Sequence, residues 1–515
     1  MKGAKTSIQE VMKTKFPKIP YEEWAKVAEK GLGSSYQSFD EYENLTIKPL
    51  YTIEELEKIE TILSKDAISQ NHWFIAQNIK GETVEELVEN VKIAINHGQT
   101  LLSLKIPDNW TIHEMNAFLQ EVNLEENSFF IETDILSVPV YSLFDQVLQK
   151  KGLNKNHLTG FIGSDPIEYF CKGFLTKEDC QLYYDYWGQG VQFAHQKLPN
   201  VKTVLVDGRI FEGAGGNTIQ QLAYSLATAV SHVEQLKKSG LSLDEIFEKF
   251  VFAFSIRSNF FIEIAKLRAA KYLWAKVQEA YGFKTPLHKA TILAETSFIN
   301  KSKFDLYSNL LRLGGEAFSS VIGGVDYLRI HPFDEFENVF GSEFGERLSR
   351  NIHHLLNEES KLSAVCDPSS GSYFIESLTH SLIEKAWQTF LEIEEEGILQ
   401  ALSSGRIQKE LASSKEILKK SFDEGKLVLI GTNKFTLEND ALLENIFPKK
   451  IKEDKVKLRL IPIEELQGEI KLGEKLSNFT RVVTKQSNFI QPIVSFRLSE
   501  ELESSLMKGR DENEA

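Results

Sequence analysis

Residues 201–256 read VKTVLVDGRIFEGAGGNTIQQLAYSLATAVSHVEQLKKSGLSLDEIFEKFVFAFSI. An apolar run opens this stretch (201–207) and another closes it (250–256), both suited to buried strands. Between them, NTIQQLAYSLATAVSHVEQLKKSG (217–240) keeps helical spacing and stops at a glycine, as helices commonly do. The same beat continues in both directions. HWFIAQNI (72–79), LLSLKI (101–106), SFFIET (128–133) and LTGFIG (158–163) come before; LHKATILA (287–294) and VDYLRIH (325–331) come after. Eight apolar runs result, separated by helical stretches such as TVEELVENVKIAINHG (83–98), FFIEIAKLRAAKYLWAKVQEAYG (260–282) and ERLSRNIHHLLNEES (346–360). Strict alternation implies right-handed parallel crossovers, and eight units close a barrel. The expected fold class is therefore α/β, a (β/α)8 TIM barrel.

Outside the barrel the pattern changes. YEEWAKVAEKGLG (21–33) ends a short helix at Gly31 or Gly33, and SSYQSFDEYENLTIKPLY (34–51) reads as extended chain. ALSSGRIQKELASSKEILKKSFDEGK (401–426) reads as one charged helix and LVLIGTNKF (427–435) as a strand and turn; short strands then lead to the polar tail MKGRDENEA (507–515). The division expected is an N-terminal arm at 1–50, the barrel at 51–400 and a linker helix with a C-terminal region at 401–515.

The chain has 515 residues, 59 basic against 74 acidic, and a net charge of -15. That charge repels nucleic acid backbones and anionic membrane surfaces. Cys171, Cys180 and Cys366 are too widely spaced for a zinc site or a disulfide framework, which fits a reduced cytoplasm. No apolar h-region marks the N-terminus and no window approaches a membrane span, so a soluble, non-exported protein is expected.

In a barrel of this kind, chemistry belongs at the C-terminal ends of the strands. There the fifth run delivers Asp207, Gly208, Arg209, Ile210, Phe211 and Glu212, then the glycine turn 213–216 at a helix N-terminus, which can cradle phosphate or simply allow tight packing. Arg257 ends the sixth run and can hold a carboxylate or phosphate, or pair with Glu263 or another structural acid. Glu295 ends the seventh, as a general base or a structural ion-pair partner. His331 ends the eighth, near Asp334 and Glu335; satisfaction by a neighbouring carboxylate is its bland reading. His353 and His354 point about 100° apart on a helix and read as partly solvated. Glu392, Glu394, Glu395 and Glu396 read as a solvated face.

At GGNTIQQLAYSLATAVSHV (215–233), NFFIEIAKLRAAKYLWAKV (259–277), TSFINKSKFDLYSNLLRLGGEAFSSVIGGVDYL (296–328), HPFDE (331–335) and DPSSGSYFIESLTHSLIEKAW (367–387), the sequence resembles the methylmalonyl-CoA mutase family over most of its length. The resemblance carries departures with it. A Tyr-His pair that in catalytic members contacts acyl-CoA and cobalamin falls on Arg209 and Ile210, and a histidine and glutamine fall on Leu293 and Glu295. The tyrosine- and arginine-rich segment that precedes the first strand in catalytic members has no match in SKDAISQNHWFIAQNI (64–79). Catalytic members hold cobalamin in a C-terminal flavodoxin-like domain through a D-x-H-x-x-G histidine, whereas the last histidine here is His380. The C-terminal region is thus expected to be truncated and degenerate in place of a cobalamin-binding domain.

The resemblance implies a small, non-catalytic subunit of a heterodimer with no catalytic, cofactor or metal residues of its own. Adenosylcobalamin and the interconversion of (R)-methylmalonyl-CoA and succinyl-CoA would lie on the large subunit. Tyr21, Trp24, Tyr36, Phe39 and Tyr42 in the arm are candidate partner anchors. Two alternatives stay open: a stand-alone barrel enzyme using Asp207, Glu212, Arg257 and Glu295 on a CoA ester without cobalamin, and the small subunit of a related acyl-CoA mutase.

Overall fold

A computed structural model of the chain describes residues 19–32, 38–58, 72–107, 110–133, 136–173, 177–284, 287–336, 341–436 and 490–511. Its strands are β1 (Ser38–Asp40), β2 (Leu45–Ile47), β3 (Phe74–Ile75), β4 (Asn78–Ile79), β5 (Leu102–Lys105), β6 (Phe129–Glu132), β7 (Gly160–Ser164), β8 (Val201–Asp207), β9 (Phe250–Ile256), β10 (Thr291–Thr296) and β11 (Tyr327–Arg329). All pairings from β3 to β11 are parallel, and β4 to β11 are neighbours in chain order. β3 pairs with β11 while β4 pairs with β5. These two are halves of the single run 72–79, interrupted at Ala76 and Gln77, so the first strand joins both edges of the sheet. The result is a closed (β/α)8 barrel, as the alternation of runs implies.

The crossover helices follow from local chemistry. Thr111 and Asn217 each form a capping box with the residue three positions on, Glu114 and Gln220, at the starts of helices Ile112–Glu121 and Thr218–Lys238. The long helices Lys177–Lys197, Thr218–Lys238 and Phe260–Ala280 pack one face on the sheet. At Gly160, where β7 begins with φ +145°, a Cβ would sit 2.1 Å from the Phe129 carbonyl oxygen, so only glycine lets β6 and β7 pair here.

Outside the barrel several expectations are corrected. The stretch 34–51 is not simply extended: β1 and β2 pair antiparallel, with Asn44 at φ 52° in the turn, a conformation asparagine tolerates. The single helix expected over 401–426 is two, Ile398–Ser403 and Arg406–Asp423, parted at Gly405 with φ 78°. LVLIGTNKF forms a turn with one isolated bridge, Ile430 to Lys434, instead of a strand. The short strands expected next fall mostly on 437–489, outside the described residues. The tail is helical at its start, within Glu500–Asp511. No described helix is long and apolar enough to cross a membrane.

Candidate functional site

Alternate residues of each strand point into the barrel, so what fills its axis can be read two residues at a time. One inward layer is apolar: Ala76, Leu101, Phe130, Phe161, Leu205, Val251, Leu293 and Tyr327 form a buried cluster. Phe130 stacks on Phe161 with centroids 4.5 Å apart, and Tyr327 meets Phe130 edge-on at 5.5 Å. This layer plugs the axis. Two residues further along, at the C-terminal mouth, the inward positions are charged: Glu132 on β6, Asp207 on β8, Glu295 on β10 and Arg329 on β11. The positions equated with the family's histidine and glutamine, Leu293 and Glu295, therefore fall one in the plug and one in the charged layer.

Arg209, just past β8, reaches across this layer. Its guanidinium binds both Asp207 carboxylate oxygens, donates to Glu295 Oε2 at 2.6 Å and to Glu132 Oε2 at 2.8 Å. Arg329 bridges the same two glutamates, 2.8 Å from Glu132 Oε1 and 2.7 Å from Glu295 Oε2, and donates to Ser103 Oγ at 2.9 Å. His331 takes the other Glu295 oxygen through Nε2 at 2.8 Å and Glu335 through Nδ1 at 3.1 Å; Lys80 pairs with Glu335 at 2.9 Å. Four cations thus face four carboxylates. A cavity beside His331 holds only about 10 Å³, no more than one water's centre could occupy. Ile210 stays out of the layer, half-buried against the outer core.

The electrostatics follow from burial set against pairing. Burial alone would raise the Glu132 carboxyl, but Arg209 and Arg329 outweigh it and hold it down at about 2. Glu295 is likewise held well below the usual carboxylate range, burial being overcome by Arg209, Arg329 and His331. Burial would depress His331, yet Glu295 and Glu335 push it up to about 9, so it is protonated at neutral pH. Asp207 is raised, because burial there outweighs Arg209. Asp165 ties the layer to the shell: it accepts from the Asp207 N–H at 2.8 Å and meets buried His232 Nε2 at 3.0 Å. Glu295 and His331 carry the roles of ion-pair partner and satisfied histidine.

The glycine turn after β8 is tightly packed, its Gly215 and Gly216 N–H groups donating to the Glu212 and Phe211 carbonyls and its carbonyls accepting from the Tyr42 hydroxyl, while a carboxylate of the chain itself meets the helix start just beyond it. The N–H of Thr218, in the first turn of helix Thr218–Lys238, donates to Glu43 Oε2 at 2.9 Å, and Asn217 Nδ2 donates to the Tyr42 carbonyl at 2.8 Å. Arg257 pairs with Glu43 at 3.2 Å and Glu212 at 3.6 Å, donates to the Tyr42 hydroxyl at 2.5 Å and lies 4.8 Å from that ring's centroid. Glu263 pairs instead with Lys266. Tyr42 is consequently spent on its own barrel, a correction to its reading as a partner anchor. Phe39 remains 60% exposed, Tyr21 and Trp24 are half-buried, and Tyr36 lies outside the described residues.

A second strap crosses the same end of the barrel. In residues 490–499, the Ile493 N–H donates to the Cys171 carbonyl, Phe496 to Gly213 and Leu498 to Ile299. Phe496 and Leu498 bury against Leu418 and Phe422 of helix Arg406–Asp423. Neither strap was visible in the sequence, since the hairpin is held by side-chain bonds to residues 173 to 175 positions away and the second strap by backbone bonds to still more distant residues.

The remaining candidates are structural. His353 is buried, not partly solvated: its Nδ1 accepts from Trp73 Nε1 at 3.2 Å, and burial lowers the imidazole to about 3. His354 Nε2 lies 3.0 Å from the His97 carbonyl oxygen. Glu392, Glu394, Glu395 and Glu396 are exposed. Asp334 Oδ2 accepts from the Ser342 N–H. Cys171 and Cys180 are buried and Cys366 is exposed. Among the described residues no cluster of three or more metal-ligating side chains occurs. As an axial ligand to cobalt, His331 does not fit, both ring nitrogens being engaged; His380 sits on helix Tyr373–Glu394, its Nδ1 3.4 Å from Glu384. Glu132, Arg329 and Lys80 are site residues that sequence reasoning missed, although strand alternation marks Glu132 and Arg329 as inward-facing.

A family profile described as methylmalonyl-CoA mutase matches residues 110–497. The small subunit of methylmalonyl-CoA mutase from Porphyromonas gingivalis is 30% identical over 446 residues, covering 83% of this chain and 71% of the relative. Methylmalonyl-CoA mutase from Escherichia coli is 25% identical over 465 residues, 81% of this chain and 64% of the relative. The large subunit from Propionibacterium freudenreichii subsp. shermanii is 27% identical over 336 residues, 65% of this chain and 46% of the relative. The chain therefore spans less than two thirds of the last two proteins' length.

Proposed function

This chain belongs to the methylmalonyl-CoA mutase family, and from that premise we propose that it is the non-catalytic small subunit of a heterodimeric mutase. Adenosylcobalamin and the interconversion of (R)-methylmalonyl-CoA and succinyl-CoA belong, in this reading, to a large subunit; this chain supplies interface and support. The observation that carries it is the mouth of the barrel. Arg209 takes the place of a substrate-contacting tyrosine and is locked among Asp207, Glu132 and Glu295 above an apolar plug. With the Arg209 and Arg329 guanidiniums committed to carboxylates, a thioester carbonyl would have to displace an ion pair to find a donor in that layer, which supports the reading.

The reading as an independent enzyme loses its residues one by one. Asp207 and Glu295 are paired with arginines, Arg257 with Glu43, and Glu212 accepts from Ser297 Oγ at 2.7 Å. The partner's acyl-CoA is set by the partner, so a related mutase fits the same architecture. Co-expression with the large subunit encoded by the same organism tests the proposal: a one-to-one complex should survive gel filtration at micromolar concentration. Separation into two peaks would remove its main support.

A further inference from the structure

We propose that the outward face of helix Ser308–Ile322, with the rings that flank it, is the docking surface for the large subunit; the inference rests on the small-subunit reading above. Tyr307, Leu311, Gly315 and Phe318 recur at intervals of four, four and three, so they form one stripe along this helix. The stripe is uncovered: Tyr307 is 66% exposed, Leu311 77% and Phe318 39%. Adjacent Arg312 is turned to Asn309 Oδ1 at 2.6 Å and to the Ile430 carbonyl, leaving the stripe free of charge.

The apolar surface continues past both ends of the helix. Tyr307 stacks on Phe333 at 5.3 Å, which touches Phe344, 52% exposed. Phe318 touches Phe260 at 5.2 Å, and Phe260 touches Phe261, 48% exposed. At the centre a Cβ added to Gly314 or Gly315 would meet nothing within 4 Å. The surface thus offers aromatic knobs around a notch into which another backbone can come close.

Size and charge identify the occupant. Scaled by ~200 Å² per aromatic side chain, these exposed fractions amount to roughly 600 Å² of apolar surface. That is at the upper end of the largest apolar patch a typical monomer carries, and such a patch is often functional; with its rim it approaches the ~800 Å² each partner contributes to a stable interface. A second copy is disfavoured, because two chains of net charge -15 repel each other. A related barrel presenting an apolar, charge-poor helix face fits the stripe.

Two variants test this in the full-length chain, Leu311→Glu and Gly315→Leu, with Leu182→Glu, 56% exposed on helix Lys177–Lys197, as control. Affinity for the large subunit is measured by titration, and the melting temperature of each isolated chain is recorded. The expected result is at least a hundredfold loss of affinity for Leu311→Glu and Gly315→Leu, none for Leu182→Glu, and unchanged melting of the isolated chains. If wild type binds and both variants bind equally well, the assigned face is wrong while the subunit reading stands. Wild type failing to bind would overturn both. A lowered melting temperature for isolated Leu311→Glu would mean the chain covers this face itself, and self-association abolished by the variants would assign it to a second copy; either overturns the proposal.

Discussion

At position 209 a guanidinium stands where the family resemblance puts a tyrosine, and Asp207, Glu132 and Glu295 hold it there. Restoring the lost pair is consequently more costly than the sequence suggests. Arg209→Tyr with Ile210→His leaves three carboxylates of a largely buried layer to Arg329 and His331, and removing one partner from a buried ionic network costs about 3–5 kcal/mol. Denaturant unfolding should record a loss of that order, and a variant as stable as wild type would mean the network is not built as described. No mutase activity should appear in the isolated double variant, because residues that act as a unit are strongly non-additive.

The protonated His331 gives the layer a pH signature. Its folded value of about 9 lies above the ordinary 6.5, so its stabilisation is fully present below pH 6.5 and is lost as pH rises through about 9. Melting temperature should fall across that window in wild type, and His331→Gln should flatten the slope. Equal slopes in the two proteins would refute the assignment. Glu132 works the other way: its contribution is present above the ordinary carboxylate value and fades as pH drops toward about 2. Individual inward positions were legible from strand alternation. Their pairing was not, because Arg209 meets a glutamate 77 positions away and another 86 away, and no local pattern encodes such a distance.

Among the elements, the eight barrel strands stood out because strands buried on both faces read as continuous apolar runs. The hairpin β1–β2 did not: strands of three residues each carry too little periodicity, and their pairing turns on Asn44. Yet this hairpin decides what the glycine turn does. Glu43 occupies the helix start at Thr218 and pairs with Arg257, so of the two readings left open for the turn, phosphate cradle or tight packing, the chain's own carboxylate takes the anion's place. Glu43→Ala should destabilise the chain by about 2 kcal/mol, the scale of a hydrogen bond to a charged group. The emptied cradle should then take an anion: added phosphate should raise the melting temperature of Glu43→Ala more than that of wild type. Equal responses would show that the turn packs without recognising charge.

For the whole molecule, the proposed small-subunit role makes this chain's contribution one of shape. Among the described residues the axis is plugged by Phe130, Phe161, Leu293 and Tyr327 and the mouth holds four ion-paired carboxylates, and the proposed role rests on these two features. The most direct test is methylmalonyl-CoA turnover with added adenosylcobalamin, run on the isolated chain, on the isolated large subunit, and on the two mixed one to one. This chain alone should give no succinyl-CoA above the blank and no stoichiometric cobalamin spectrum, and the mixture should be active. Succinyl-CoA formed by the isolated chain, or cobalamin bound to it one to one, would contradict the account.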